Sequence, residues 1–223
     1  MSDGILVIGT RRYSSWSLRG WLAVRLAGLD VREQVIPLAD NGETAAIRTI
    51  SPNGKVPYLE HQGIAVWESL AICEYCAELA PAGLWPADAR QRAYARSIAS
   101  EMHAGFRALR QAMPMNTGRD NRPLADGTTQ GIDAEISRID GIWTEARLDF
   151  GAGGPYLFGA AFGMADVMFA PIVSRFLSYG ISPSPESQAY MTAVRTHPLV
   201  DEWYQKAAQE PKEWRQARFE ELA

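Results

Sequence analysis

The chain has 223 residues, of which 47% are hydrophobic and 22% charged, a composition typical of a globular protein with one large or two small domains. The formal net charge of −4 argues against nucleic acid or an anionic membrane surface as a partner. No apolar run approaches the ~20 residues of a membrane-spanning helix, and the first residues lack the features of a signal peptide, so we expect a cytoplasmic protein.

The first 80 residues alternate between strand-like and helix-like segments. Apolar residues recur with period two in the former and with helical spacing in the latter. Gly28 ends the first helix, because glycine takes the left-handed conformation at little cost. The predicted order is β-α-β-α-β-β-α: a strand at 5–9, a helix at 16–27, a strand at 31–36, a short helix within 40–48, strands at 56–59 and 64–67 around a turn at 60–63, and a helix at 68–79.

The second part of the chain has a different pattern. Pro and Gly between residues 81 and 87 predict a linker, and everything from residue 88 onward reads as helical. Gly163 followed by Asp166 predicts a capped start for a buried helix. The predicted helices are at 88–112, at 128–148, from about Gly163, and two short ones after Pro185 and Pro198. We therefore predict two domains, residues 1–80 and 88–223.

Two adjacent serines, Ser14 and Ser15, lie at the turn from the first strand into the first helix. The amino end of a helix presents unpaired N–H groups and a partial positive charge. A redox protein places its own cysteine there, where the field lowers the thiol pKa, whereas a hydroxyl can donate a hydrogen bond to a thiolate from another molecule. The pair therefore predicts a site for an incoming thiol. The alternative is that one serine only caps the helix.

Three motifs occur in order: SSWSLR at 14–19, SPNGKVP at 51–57 and WES at 67–69. Together they resemble the cytosolic glutathione transferases over nearly the whole chain. The serine motif is most similar to the zeta class, which has cysteine where this chain has Trp16. The resemblance implies an α+β thioredoxin-like domain followed by an all-α domain that forms the second-substrate pocket. It also implies glutathione as a co-substrate, no permanently bound cofactor, and a homodimer.

The resemblance implies which hydroxyl meets the sulfur of glutathione. By similarity to the zeta class it assigns this catalytic contact to Ser14, with Ser15 second. Tyr13 is a third candidate, because other classes of the superfamily use a tyrosine near this turn, although its alternative role is hydrophobic cover.

The resemblance also implies the residues that bind the rest of glutathione, an extended tripeptide that can align along a sheet edge as an added strand. In the family a cis Pro57 turns the backbone of Val56 toward the ligand, and Lys55 reaches the glycyl carboxylate. Glu68 and Ser69 receive the γ-glutamyl end at the start of a helix. The alternatives are an ordinary trans proline, a solvated lysine, and a glutamate that interacts only with the helix dipole.

Two other features are interpreted as structural. Cys73 and Cys76 have CxxC spacing, but they fall inside a predicted helix and no second ligand pair accompanies them. We interpret them as core residues and predict no metal site. His103 lies on the predicted long helix, where it either contacts the second substrate or supports the fold.

These observations predict an enzyme that transfers the glutathione thiolate to small hydrophobic electrophiles. Two alternatives stay open. One is a glutathione-dependent isomerase similar to maleylacetoacetate isomerase, the activity of the zeta class. The other is a non-catalytic protein that binds glutathione or another ligand.

Overall fold

The computed structural model describes residues 2–39, 44–122, 124 and 131–220. The sheet has strand order β2-β1-β3-β4, with β2 parallel to β1, β3 antiparallel to β1 and β4 antiparallel to β3. This thioredoxin-like half confirms the predicted fold. Its elements are β1 (Gly4–Gly9), α1 (Ser15–Leu26), β2 (Arg32–Ile36), α2 (Ala45–Arg48), β3 (Tyr58–His61), β4 (Ile64–Trp67) and α3 (Ser69–Leu79).

The described part of the chain beyond α3 is mostly helical, as predicted. Its helices are α4 (Ala89–Ala104), α5 (Arg107–Ala112), α6 (Ile132–Phe150), α7 (Met164–Ser178), α8 (Pro185–Arg195), α9 (Pro198–Ala208), a 3₁₀ turn (Lys212–Trp214) and α10 (Ala217–Glu220). The last two were not predicted. The first residues of the helix predicted at 128–148 lie outside the described residues, and so does part of the stretch at 40–48. The domain boundary at 81–87 stays a prediction.

The single helix predicted at 88–112 is wrong, because two helices, α4 and α5, occupy this stretch. Phe106 between them takes a left-handed φ of 58° and is 7% exposed. A Cβ on Gly105 would lie 2.9 Å from the carbonyl oxygen of Glu101, so this approach requires glycine. Arg110 of α5 donates hydrogen bonds to backbone carbonyls at the end of α4. The break is therefore held by these local contacts and by the packing of Phe106 in the hydrophobic core.

The predicted hairpin is confirmed, but its turn is shorter than the predicted 60–63. Gln62 and Gly63 form a two-residue turn with φ values of 52° and 80°, which suits the twist of an antiparallel hairpin. The third strand consequently continues through His61, and it begins at Tyr58, later than the predicted residue 56.

One hydrophobic core runs through both halves of the molecule. Helix α1 packs against α3 and also against α7, and Arg19 Nε of α1 donates to the carbonyl of Met168 in α7 at 2.9 Å. The predicted cap of α7 is confirmed, since the Asp166 carboxylate accepts from the N–H of Gly163 at 2.9 Å. Burial raises the pKa of Asp166 to about 6.

Residues from the helical half hold the turn between β1 and α1. The Glu210 carboxylate accepts from the backbone N–H of Arg11 at 2.7 Å and of Arg12 at 3.2 Å. Trp203 Nε1 donates to the Arg11 carbonyl at 3.1 Å, and the Thr117 N–H donates to the Arg12 carbonyl at 3.1 Å. The backbone directly before α1 is therefore fixed by hydrogen bonds to distant segments.

Gly20 in α1 makes a close contact that predicts the effect of a substitution. A Cβ at this position would lie 2.8 Å from Cβ and Cγ of Pro57. Alanine normally stabilises a helix interior by about 0.5–1 kcal/mol relative to glycine, but overpacking costs about 1–3 kcal/mol. We expect Gly20→Ala to lower the free energy of unfolding in urea titrations.

The matched control is Gly141→Ala in α6, where an added Cβ meets nothing within 4 Å. There only helix propensity acts, so we expect the free energy of unfolding to rise by about 0.5–1 kcal/mol. Equal stabilisation of both variants would show that the contact between Gly20 and Pro57 is not tight.

Candidate functional site

Two adjoining cavities lie beside the serine turn. The larger, of about 600 Å³, is lined by the serine turn (residues 13–16), α5, α7 and the C-terminal segment (residues 216–220). The smaller, of about 120 Å³, lies against the start of α3. Trp16, Lys55 and Val56 border both, so one elongated ligand can occupy the two together. The smaller cavity is lined by Trp16, Asn53, Lys55, Val56, Pro57, Glu68 and Ser69.

The smaller cavity brings together all five residues that the sequence singles out for the peptide-like ligand. The peptide bond between Val56 and Pro57 is cis. The N–H and C=O of Val56 make no hydrogen bond to another described residue. A peptide ligand can therefore pair with this stretch of backbone as it would with a strand edge.

The amino end of α3 closes the smaller cavity. Glu68 takes a φ of 70°, a conformation that costs about 1–3 kcal/mol for a residue other than glycine and is concentrated at functional sites. Its carboxylate accepts from Asn53 Nδ2 at 3.0 Å. The buried Ser69 Oγ has no partner among the described residues. This hydroxyl and the free N–H groups of the 11-residue helix suit a carboxylate ligand.

At the larger cavity, Ser14 caps helix α1. Its Oγ accepts from the N–H of Ser17 at 3.3 Å and donates to Ser17 Oγ at 2.7 Å. The capping role considered as an alternative is therefore present. Ser15 differs, because its Oγ accepts from Arg175 Nη2 at 3.2 Å.

Tyr13 makes its hydrogen bonds to the C-terminal segment. Its OH donates to Glu220 Oε1 at 2.7 Å and accepts from the N–H of Gln216 at 3.2 Å. Its ring lies 5.1 Å from that of Phe219. Burial and the hydrogen bond to Glu220 raise the pKa of Tyr13 to about 12. The phenol therefore stays neutral, and its proton is used in the hydrogen bond to Glu220.

Trp16 lies among positively charged groups that the sequence did not reveal. The guanidinium carbons of Arg19 and Arg110 are 4.6 Å and 4.7 Å from its ring centroid, within the range of cation–π attraction. The His103 ring meets Trp16 edge-on at 5.3 Å, and His103 Nε2 is 3.9 Å from a Glu68 oxygen. Burial and the charge of Arg19 lower the pKa of His103.

The larger cavity is electropositive. It is lined by the cations Lys55, Arg110, Arg175 and Arg218, and no Asp or Glu is among its described lining residues. Sequence reasoning missed the three arginines. Arg110 and Arg175 lie on separate helices with no motif around them, so only the fold brings them to the serines.

The remaining candidates have structural roles. Cys73 and Cys76 are buried, and burial raises the pKa of Cys76 to about 12. Over the described ranges, no three His, Cys, Asp or Glu side chains are grouped as a metal site would require. No described helix combines the length and apolarity needed to cross a membrane.

Comparison with known proteins defines the family. A family model for the glutathione S-transferase N-terminal domain matches residues 13–79. Maleylacetoacetate isomerase of Rattus norvegicus is 31% identical over 183 residues, covering 78% of this chain and 79% of the relative. The chain belongs to the cytosolic glutathione transferase superfamily, and this relative supports the similarity of its serine motif to the zeta class.

Solved structures agree on the fold. A glutathione transferase homologue from Burkholderia with bound glutathione has a TM-score of 0.70 at 20% identity, covering 93% of this chain and 100% of that chain. A theta class glutathione S-transferase from Xanthomonas axonopodis pv. citri with glutathione bound has a TM-score of 0.64 at 23% identity, covering 95% of this chain and 99% of that chain.

Because the Tyr13 proton is committed to Glu220, we expect Tyr13→Phe to leave the thiol pKa of added glutathione unchanged. We expect only a loss of about 1.5–3 kcal/mol of stability, because the missing hydrogen bond is to a charged group. The measurements are ultraviolet absorbance of the thiolate against pH and urea unfolding. Tyr94→Phe is the control, since Tyr94 donates to Glu145 at 2.9 Å outside both cavities. A raised thiol pKa in Tyr13→Phe alone would make Tyr13 the thiolate donor.

Proposed function

We propose that the chain is an enzyme that binds glutathione across the two cavities and transfers its thiolate to a small hydrophobic electrophile in the larger one. The observation that carries this proposal is the buried, unpartnered hydroxyl of Ser69. It shares a cavity with the open backbone of Val56, and this cavity adjoins the serine turn. A polar atom buried without a partner costs about 1–3 kcal/mol unless a ligand satisfies it.

The geometry supports one orientation of glutathione. The γ-glutamyl carboxylate takes the hydroxyl of Ser69 and the amino end of α3, while the γ-glutamyl ammonium faces the Glu68 carboxylate. The cysteinyl backbone pairs with Val56, and the glycyl carboxylate faces Lys55. The sulfur then enters the larger cavity beside the serine turn.

In the proposed reaction the thiol first releases its proton to water. The thiolate attacks the electrophilic carbon, a sulfur–carbon bond forms, and the leaving group departs with its electron pair. Lowering a thiol pKa from ~8.5 to ~6.5 requires about 2.7 kcal/mol. One hydrogen bond to the thiolate supplies roughly 1.5–3 kcal/mol and the helix terminus roughly 0.3–1 kcal/mol. The turn can therefore supply this stabilisation.

Ionisation alone explains only a modest acceleration. At pH 7 a free thiol is already ~3% ionised, so complete ionisation gains at most about 30-fold. Part of this gain is lost because nucleophilicity falls with pKa, with a slope of ~0.4–0.5 in thiol exchange. Placing the electrophile against the sulfur must supply the rest. Apolar side chains of the larger cavity, among them Leu38, Ile47, Met115 and Phe219, suit a hydrophobic electrophile.

A second candidate is a glutathione-dependent isomerase acting on an unsaturated acid such as maleylacetoacetate. Two observations favour it: the relative of that name, and a larger cavity with four cations and no acid among its described lining residues. In this reaction the thiolate adds to the double bond, the resulting single bond rotates, and elimination restores both the alkene and glutathione. Of these cations, Arg110 and Arg218 would hold the substrate carboxylates.

The first test concerns the binding site. We expect Ser69→Ala to weaken glutathione binding about 10- to 100-fold in titration calorimetry, because a hydrogen bond to a charged group is worth about 1.5–3 kcal/mol. The control is Ser97→Ala. Ser97 is an exposed serine of α4 whose hydroxyl donates only to the Ala93 carbonyl, so the affinity of this variant for glutathione should be unchanged. Equal affinity of both variants would remove Ser69 from the site.

Turnover separates an enzyme from a ligand carrier. We expect the unmodified protein to conjugate 1-chloro-2,4-dinitrobenzene with glutathione, and the rate to fall in Ser69→Ala in line with weaker binding. A protein that binds glutathione yet turns over neither this compound nor an unsaturated diketo acid would be a carrier.

The second test separates the two reactions. Arg218 is exposed and lines the larger cavity, where its guanidinium donates to Gln216 Oε1. Arg218→Gln removes the charge and keeps an amide that can donate to the same oxygen. If the substrate is anionic, its KM should rise about tenfold while the KM for neutral 1-chloro-2,4-dinitrobenzene stays the same. Arg138→Gln is the control, because Arg138 pairs with Glu101 away from both cavities. A uniform effect on both substrates would contradict an anion-binding role for Arg218.

The homodimer implied by the resemblance stays a prediction. Strand β4 lies at the edge of the sheet and exposes Ile64 and Trp67, at 51% and 42%. This apolar edge is the place where we propose a second copy to pack.

A further inference from the structure

The three hydroxyls at the turn differ in what happens to their protons. The Ser14 hydroxyl donates to Ser17 Oγ, and the Tyr13 hydroxyl donates to Glu220. Ser15 Oγ accepts a hydrogen bond from Arg175 and donates to no described residue. Ser15 is therefore the hydroxyl at the turn whose proton is free to point into the larger cavity.

Arg175 is an unusual partner for this hydroxyl. It lies in the buried helix α7 and is only 6% exposed. Its guanidinium donates to the carbonyl of Met113 and, at 3.2 Å, to Ser15 Oγ. Its Nε has no partner, and no acidic side chain pairs with it within the described ranges. A buried cation without a counterion is costly, so a bound anion beside Ser15 would relieve this cost.

The charged and titratable groups around Arg175 come from three sides. Arg110 of α5 and Arg19 of α1 repel it, and the Tyr179 phenol follows α7. Burial and Arg110 lower the pKa of Arg175 to about 10, so it remains charged near neutral pH. Burial raises the pKa of Tyr179, so this phenol stays neutral. The net field at Ser15 is therefore positive.

We propose that Ser15 donates the hydrogen bond to the sulfur of bound glutathione and that Arg175 is its positioning residue. By donating to Ser15 Oγ, Arg175 fixes the rotamer of the serine and leaves its proton for the sulfur. Its charge makes the hydroxyl a stronger donor. Ser14 is then the cap that shapes the turn. This inference rests on the proposed function.

The first experiment titrates the thiol of saturating glutathione by thiolate absorbance. We expect Ser15→Ala to raise the bound thiol pKa by about one unit or more, and Ser14→Ala to raise it by less than about half a unit. A larger shift in Ser14→Ala would overturn the assignment. If the unmodified protein binds no glutathione, the proposed function fails together with the inference. If it binds and Ser15→Ala leaves the pKa unchanged, only the inference fails.

The second experiment needs no glutathione. A thiol is introduced by Ser15→Cys, and its alkylation by iodoacetamide is measured against pH. The native Cys73 and Cys76 are both 0% exposed and serve as an unreactive background. We expect the introduced thiol to have a pKa below the usual ~8.5, and lower than that of a thiol introduced by Ser14→Cys.

Adding Arg175→Gln to Ser15→Cys should raise the pKa of the introduced thiol by about one unit, while Arg175→Lys should raise it less. An unchanged pKa in the Arg175→Gln background would overturn the positioning role, because a merely structural arginine would not alter the titration. If Arg175→Gln does not fold, the comparison of Ser14→Cys with Ser15→Cys still decides. Equal pKa values in those two variants would contradict the proposal.

Discussion

The structure depends on how the turn between β1 and α1 is held. Its backbone groups bond to Glu210, Trp203 and Thr117, which lie far along the chain in the helical half. A short turn has few internal partners for its own N–H and C=O groups, and these groups must be satisfied when buried. The position of the two serines is therefore set by both halves of the molecule at once, and the larger cavity forms where those halves meet.

The second organising feature is buried positive charge. Arg19, Arg110 and Arg175 are wholly or partly buried around the serine turn, and their burial lowers the pKa of each. They are held by backbone carbonyls and by the ring of Trp16. Such an arrangement is unfavourable for an empty site and favourable for an occupied one, because an arriving anion finds donors already in place. The buried arginines therefore lower the stability of the ligand-free fold and raise its affinity for an anion.

Features encoded locally were predictable from the sequence. The order of strands and helices follows from periodicity and turn residues, and the stretches around Val56 and Ser69 are contiguous motifs. What escaped prediction depends on distant contacts. The break at Gly105 and Phe106 requires packing that no helical pattern reveals, and Arg175 meets Ser15 only because α1 packs against α7. The sequence predicted the capping role of Ser14 as an alternative. It could not predict which serine hydroxyl keeps a free proton, because that depends on the position of Ser17 Oγ.

Trp16 forms a wall of both cavities. In the proposed arrangement glutathione lies across both cavities and its reaction partner lies in the larger one, so both ligands occupy space that this ring bounds. Coupling between two ligands is reciprocal. If bound glutathione raises the affinity for the reaction partner by some factor, the bound partner raises the affinity for glutathione by the same factor. The indole of Trp16 is the side chain through which such coupling would pass, because it borders the space for both ligands.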